Sequence, residues 1–115
     1  MLSQKYRFHS RGGVRFVYKN GKTIRTAKMS LVHMPNSRGY QRFAVVVSKK
    51  VEKTAVGRNK MRRRIYEALR IYKATHQLDI PQDFIFVVYS KEFLSCDFKE
   101  IVSTVGSLIE QSIMV

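Results

Sequence analysis

Acidic side chains are scarce in this chain. Its 115 residues contain only 8 Asp and Glu against 22 Lys and Arg, which gives a formal net charge of +14. Self-repulsion of this size works against compaction and exceeds what solubility requires. The imbalance therefore favours a polyanionic partner over a neutral or cationic one.

Cysteine is also rare. Cys96 is the single cysteine, which excludes an intramolecular disulfide and a multi-cysteine metal site. We interpret it as an inert, partly buried small side chain. The histidines, His9, His33 and His76, are scattered without the spacing of metal ligands. The acids show no paired-carboxylate pattern, so we expect no catalytic residue and no metal or cofactor bound by the protein itself.

Long apolar runs are missing as well. The N-terminus lacks the apolar stretch of a signal peptide, and no stretch approaches the roughly 18 apolar residues of a membrane span. We therefore expect a cytoplasmic protein with no membrane partner. Hydrophobic residues still make up 44% of the chain, without a low-complexity tract, so residues 1–115 are predicted to form one folded domain.

The positive charge is concentrated in one part of the chain. Residues 1–73 hold 20 of the 22 cations and two acids, whereas residues 74–115 hold two cations and six acids. The segment 58–64, Arg-Asn-Lys-Met-Arg-Arg-Arg, contains five cations and one amide. This distribution indicates one binding surface and not a uniformly basic exterior.

The pattern of apolar and turn-forming residues predicts an α-β-β-α-β-α order, an α+β sandwich with helices packed on a small sheet. Two strands separated by a turn are expected to pair as an antiparallel hairpin. A capping box, Asp97-x-x-Glu100, precedes the last helix. The predicted elements are an irregular arm at 1–12, a short helix through Val14 and Tyr18 that ends at Asn20-Gly21, strands at 26–34 and 43–47, a helix at 57–76, a strand at 83–89 and the C-terminal helix.

The helix at 57–76 is amphipathic. At 100° per residue, one stripe is apolar and predicted to be buried. It consists of Met61, Ile65, Ala68, Leu69 and Tyr72. The other side is a basic strip containing one amide and one aromatic side chain, namely Asn59, Arg62, Arg63, Tyr66, Arg70 and Lys73.

This basic strip favours RNA binding over a merely solvated helix face. Solvated helices usually interleave opposite charges, but here only Glu67 interrupts the cations. Arg predominates, which suits bidentate phosphate contacts. Tyr66 could stack on an unpaired base or pack against neighbouring Arg stems. Major-groove DNA reading remains possible in principle, although no helix-turn-helix pattern is present.

The central residues resemble those of the bacterial ribonuclease P protein family. Ser48-Lys49-Lys50 leaves a strand and is followed by Ala55-Val56-x-Arg58-Asn59-Lys60-x-Arg62-Arg63-x-x-x-Glu67-x-x-Arg70. Val17-Tyr18-Lys19-Asn20-Gly21 is similar to the end of the family's first helix. The resemblance implies a ribosomal protein S5 domain 2-like fold with a left-handed β-α-β crossover, against the usual right-handed rule.

The resemblance also implies a function. Ribonuclease P removes the 5′ leader of precursor tRNA by metal-assisted hydrolysis on an RNA subunit that requires Mg²⁺, and the protein assists that RNA in a 1:1 complex. The residues implied to face the catalytic RNA are Arg58, Asn59, Lys60, Arg62, Arg63, Tyr66 and Arg70, with Lys49 and Lys50, which could instead be edge-protecting lysines. Val14 and Tyr18 are implied to line a cleft for the single-stranded leader.

Three positions depart from the family pattern. Lys60 stands where the second Arg of the family's core is usual, which keeps the charge but loses the planar fork. Tyr66 replaces a usual Arg, and Gly13-Val14 replaces an Asp-Phe pair. We expect the first two departures to alter contacts with the catalytic RNA and the third to alter contacts with the leader. The alternative functions are a structural RNA-binding protein of ribosomal type and a protein nuclease that acts alone.

Overall fold

The computed structural model describes residue 2 and residues 4–8, 11–76 and 80–113. Within these ranges a 3₁₀ turn precedes a mixed α+β arrangement of three helices and four strands. The elements are the 3₁₀ turn Gln4–Tyr6, α1 (Arg11–Asn20), β1 (Lys22–Arg25), β2 (Met29–Pro35), β3 (Arg42–Val47), α2 (Ala55–His76), β4 (Gln82–Val88), a second 3₁₀ turn Lys91–Leu94, and α3 (Phe98–Ile113).

The four strands form one sheet in the order β1-β2-β4-β3. β1 and β2 are antiparallel, β2 and β4 are antiparallel, and β3 and β4 are parallel. The predicted hairpin between the strands at 26–34 and 43–47 is therefore wrong, because β4 lies between β2 and β3. A central position suits β4, whose apolar run can be buried on both faces. The parallel pair joined through α2 is a β-α-β unit, and its left-handed crossover stays a prediction.

The strand missing from the predicted order is β1. Three of its four residues are exposed, and only Ile24 packs against the core, so it has no apolar alternation to detect. The predicted strand at 26–34 begins three residues later, at Met29. Thr26 Oγ1 accepts a hydrogen bond from the Met29 amide at 3.2 Å and shapes the turn between the two strands. Ala27 lies in that turn and is exposed.

Successive residues of the strands point to opposite faces of the sheet and build two cores. One face packs against α2 and α3 and carries the large side chains, including Phe43, Phe84 and Phe86. The other face is covered by α1, where Val17 is buried among Phe8 and strand residues. The sheet thus separates a thick core from a thinner layer beneath α1, and part of this second face stays open as a cleft.

The N-terminal segment is more ordered than predicted in its described part. Residues 4–8 are called here the N-terminal strap, since the Phe8 amide donates to the Phe43 carbonyl at 3.0 Å along the free edge of β3. Phe8 is buried, so the expected irregular arm is wrong for these residues. Helix α1 begins at Arg11 and runs through Gly12 and Gly13. His9 and Ser10 lie outside the described residues.

Helix α2 begins two residues earlier than predicted. Thr54 Oγ1 accepts a hydrogen bond from the Gly57 amide at 3.0 Å, which is a typical N-cap and sets the first turn at Ala55. The predicted apolar stripe is confirmed, because all five of its residues are buried. Helix α3 packs closely against α2, because a Cβ on Gly106 of α3 would lie only 2.7 Å from the ring of Tyr72 of α2. Among the described residues, no helix is long and apolar enough to cross a membrane.

Candidate nucleic-acid interface

The outward face of α2 presents most of the predicted basic strip. Asn59, Arg63 and Arg70 are exposed and Arg62 is half-buried. Arg62 Nη1 donates to Asn59 Oδ1 at 3.3 Å, so an amide and a guanidinium are presented as a pair one turn apart. Lys60 is exposed at the border of this face. The four shared-face residues are therefore mounted on a helix whose other side is fixed in the core.

Two of the five cations in segment 58–64 hold the fold together. Arg58 Nη1 donates to the carbonyl oxygens of Glu52 and Lys53, at 3.0 and 2.8 Å. Arg64 donates through Nη1 to Phe93 O at 2.7 Å and through Nη2 to Cys96 O at 2.5 Å. These charge-assisted bonds to carbonyl groups fix α2 to the loop that precedes it and to the segment 93–96 that follows β4. Part of the positive charge in this segment therefore serves folding.

Lys49 and Lys50 lie in the turn that follows β3, and both are exposed. The turn is closed by the amides of Val51 and Glu52, which donate to Ser48 O at 3.1 and 3.2 Å. Because Arg58 binds the end of the same loop, the two lysines are held beside the start of α2. Both lysines thus lie in the loop that leads into the basic helix.

The two acids of the basic half are both engaged. Glu52 Oε1 accepts from the Thr54 amide at 3.2 Å, and the hydrogen bond from this amide is the main reason that the pKa of Glu52 is lowered. Glu67 accepts from Arg70 Nε at 2.7 Å, and this bond holds the pKa of Glu67 at about 2. Neither carboxylate is directed at Arg62 or Arg63 in these bonds, whereas the charge of Arg70, which also lies on the strip, is paired with Glu67.

Tyr66 does not lie on the solvent-facing strip as predicted. Its side chain is only 8% exposed, because the N-terminal strap covers that flank of α2. The Arg7 guanidinium lies 5.6 Å from the centre of the Tyr66 ring, a cation–π contact. Burial raises the pKa of the Tyr66 hydroxyl, against a hydrogen bond with the Val45 backbone and the charges of Arg7 and Arg62. Tyr66 is therefore the floor of a site and not an exposed stacking platform.

A first cleft, of about 410 Å³, opens along the basic strip and is called here the α2 cleft. Three guanidinium groups surround it, one amide lies at its side, and Tyr66 forms its base. It is lined by Arg7, Val56, Asn59, Arg62, Arg63 and Tyr66. Arg7 was not among the predicted site residues, although its place in a basic N-terminal segment was the available signal.

A second cleft, of about 450 Å³, opens between α1 and β3 and is called here the α1 cleft. The two residues predicted for a leader cleft, Val14 and Tyr18, both line it. Tyr18 is 42% exposed and its pKa is raised, first by partial burial and then by Tyr89. The sequence could not identify the remaining walls, which are formed by Phe8, Arg15, Ala44, Val45, Val46, Val47, Arg62 and Tyr66.

The two clefts adjoin each other through shared residues. Arg62 and Tyr66 line both, so the basic helix face continues into an apolar groove with an exposed tyrosine at its side. Phosphates favour the first environment, and unpaired bases favour the second. The surface therefore combines a cationic cleft with an adjoining apolar groove.

The residues show no metal centre of their own. Among residues 2, 4–8, 11–76 and 80–113, no three His, Cys, Asp or Glu side chains come together in a group that could hold a metal ion. The Mg²⁺ implied by the family resemblance is expected on the RNA subunit and not on the protein. Its assignment to an RNA subunit stays a prediction.

Comparison with known proteins decides the family. The family model for ribonuclease P matches residues 2–112. Over 100 residues the chain is 33% identical to the ribonuclease P protein component of Clostridioides difficile (strain 630), covering 85% of this chain and 83% of that one. The chain belongs to the ribonuclease P protein family. The protein component of Thermoanaerobacter sp. (strain X514) is 32% identical over 93 residues, covering 81% and 77% of the two chains.

Solved structures of ribonuclease P proteins share the fold. The protein from Thermotoga maritima matches with a TM-score of 0.78 at 23% identity, covering 91% of this chain and 96% of that one. The Staphylococcus aureus protein matches with a TM-score of 0.72 at 19% identity, covering 93% and 94%. Membership in the ribonuclease P family makes the chain a component of an RNA-processing endoribonuclease in tRNA processing and implies an RNA partner.

Proposed function

We propose that this chain binds the catalytic RNA of ribonuclease P through the α2 cleft and the 5′ leader of precursor tRNA through the α1 cleft. The complex contains one protein and one RNA subunit, and the RNA performs the hydrolysis. The observation that carries the proposal is the junction of the two clefts at Arg62 and Tyr66. A leader that emerges from the RNA active site could pass along one continuous protein surface.

The α2 cleft supports binding to a folded RNA. Two of its guanidinium groups, those of Arg62 and Arg63, lie on a helix fixed by a buried stripe, so their orientation is set before binding. Preorganised donors lose less side-chain entropy when they contact phosphate. The Lys49-Lys50 turn and exposed Lys60 extend this surface. Lys60 supplies a point charge where a guanidinium would supply a fork.

The α1 cleft supports binding to a single strand. Tyr18 offers an exposed ring on which a base can stack, and Arg15 and Arg62 provide charge for the backbone. Val14 presents a small apolar wall, so stacking at that position is absent and base contact falls mainly to Tyr18. Sequence preference from stacking is weak, which suits leaders of varied sequence.

Reconstitution tests the proposal. The purified chain is mixed with the ribonuclease P RNA of the same genome and a labelled precursor tRNA, at magnesium concentrations that limit the RNA alone. We expect the protein to accelerate leader removal and to show no cleavage without the RNA. Cleavage by the chain alone would identify a protein nuclease. Binding to the RNA without any effect on cleavage would identify a structural RNA-binding protein.

The leader role needs its own comparison. The reconstituted enzyme should bind precursor tRNA more tightly than mature tRNA, and Tyr18→Ala should reduce that preference. Phe16→Ala is the matched control, since Phe16 is an exposed aromatic residue of the same helix and does not line the α1 cleft. Equal effects of the two substitutions would contradict the assignment of the leader to the α1 cleft.

A further inference from the structure

The N-terminal strap is fixed to the free edge of β3 on both sides of Arg7. The Arg7 amide donates to Gln4 O at 3.1 Å, and Arg7 pairs with Phe43 in a parallel bridge. Phe8 is buried and lies 4.5 Å below the Arg42 guanidinium. These contacts fix the backbone from which the Arg7 side chain extends toward α2.

The Arg7 side chain ends where two other guanidinium groups converge. It lines the α2 cleft with Arg62 and Arg63 and lies over the ring of Tyr66. Arg7 Nε is buried and has no hydrogen-bond partner among the described residues. A buried donor without an acceptor is costly, and a bound oxyanion would remove that cost.

The surroundings of this cleft favour an anion. None of the described residues that line it carries a carboxylate. Of the acids nearest in sequence, Glu67 is bound by Arg70 and Glu52 by the Thr54 amide. Guanidinium forks match the geometry of phosphate oxygens and can contact two of them at once. Three cations brought together without a counter-charge repel one another unless an anion is bound.

We propose that the α2 cleft is a pocket for a phosphodiester group of the RNA backbone, in which Arg7 of the N-terminal strap contacts the phosphate together with Arg62 and Arg63. The inference rests on the proposed function for the identity of the RNA. It adds the strap as an RNA-binding element, separate in sequence from the basic helix. It also places one bound phosphate beside the entrance to the α1 cleft.

Salt dependence of RNA binding tests the contribution of Arg7. Arg7→Ala should weaken binding to the cognate ribonuclease P RNA about tenfold and reduce the slope of log affinity against log salt by about 0.7–0.9, the effect of one phosphate contact. Arg25→Ala removes the same charge from exposed β1 at the opposite edge of the sheet, and should leave the slope unchanged. A slope for Arg7→Ala equal to that of the wild type would overturn the proposal.

A measurement on the wild-type protein covers the case in which Arg7→Ala does not fold. Inorganic phosphate is titrated into the free chain while the Nε–Hε signals of its arginines are followed by NMR. We expect the signal of Arg7 to shift more strongly than that of Arg25. Equal small shifts at both would show only general screening and would overturn the pocket. Because this readout needs no RNA, it separates failure of the pocket from failure of the proposed function.

Discussion

Arg62 and Arg63 are neighbours in sequence, yet the structure gives them different surroundings. Both line the α2 cleft, but only Arg62 also lines the α1 cleft. We therefore predict that Arg62→Ala impairs binding of both the RNA subunit and the leader, whereas Arg63→Ala impairs binding of the RNA subunit alone. The pair is a matched comparison, because each variant removes one guanidinium from the same turn of α2.

The expected magnitudes follow from the loss of one charged contact. A hydrogen bond to a charged group contributes about 1.5–3 kcal/mol, or roughly 10- to 150-fold in affinity. The salt slope for the RNA subunit should fall by about 0.7–0.9 in each variant. Neither substitution should unfold the chain. Arg63 is exposed, and the bond between Arg62 and Asn59, which lie one helical turn apart, is also exposed. Such pairs contribute only about 0.2–0.5 kcal/mol.

Two assays separate the roles. Fluorescence anisotropy with labelled RNA subunit gives the affinity and salt slope, and melting temperatures confirm that both variants are folded. The reconstituted enzyme then gives the ratio of affinities for precursor and mature tRNA. That ratio should fall for Arg62→Ala and stay unchanged for Arg63→Ala. A ratio that falls for Arg63→Ala but not for Arg62→Ala would refute the idea that Arg62 joins the two clefts.

The remaining predictions concern stability. Ile65→Ala should lower the free energy of unfolding, measured with denaturant, by about 2–5 kcal/mol, because the side chain is fully buried on the core-facing side of α2. Near-wild-type stability would contradict this packing. Gly21→Ala should destabilise by about 1–3 kcal/mol, since its Cβ would lie 2.7 Å from Val17 O and 2.8 Å from His33 O. Gly12→Ala, with open space around it within α1, is the control and should stabilise by about 0.4–1 kcal/mol in the same measurement. The pKa of Glu67 is about 2 in the folded chain against an ordinary 4.5, so its stabilising effect is present above pH 4.5 and is lost as the pH falls toward 2. Glu67→Gln should therefore weaken the dependence of the melting temperature on pH between 2 and 4.5. An unchanged pH dependence would contradict the pairing of Glu67 with Arg70.

Long amphipathic helices are predictable from the sequence because many residues repeat the same pattern of buried and exposed positions. Over the 22 residues of α2, the apolar stripe repeats often enough to fix which side is buried. β4 was equally clear, as its apolar run needs cover on both faces. β1 was missed because its four residues are mostly exposed and are held by pairing with β2. The order of strands depends on long-range pairing, which local patterns do not encode.

The position of Tyr66 shows why the site was only partly predictable. A helical wheel places Tyr66 on the basic side, but burial also depends on what other segments cover. Here the strap lies along β3 and brings Arg7 over the ring. The same contact adds a cation that the wheel of α2 could not include. An error about one aromatic residue and the omission of one arginine therefore have the same cause.

The concentration of cations in segment 58–64 reflects two requirements that fall on one helix. Arg58 binds backbone carbonyl groups of the loop before α2, and Arg64 binds those of the segment 93–96 that follows β4. Arg62 and Arg63 remain beside a cleft without a carboxylate. Because the first pair fixes the helix against these two segments, the second pair keeps its orientation while it carries unbalanced charge. The density of arginine thus follows from a helix face that is both highly charged and rigidly held, and the number of cations alone does not show which of them remain on the open surface.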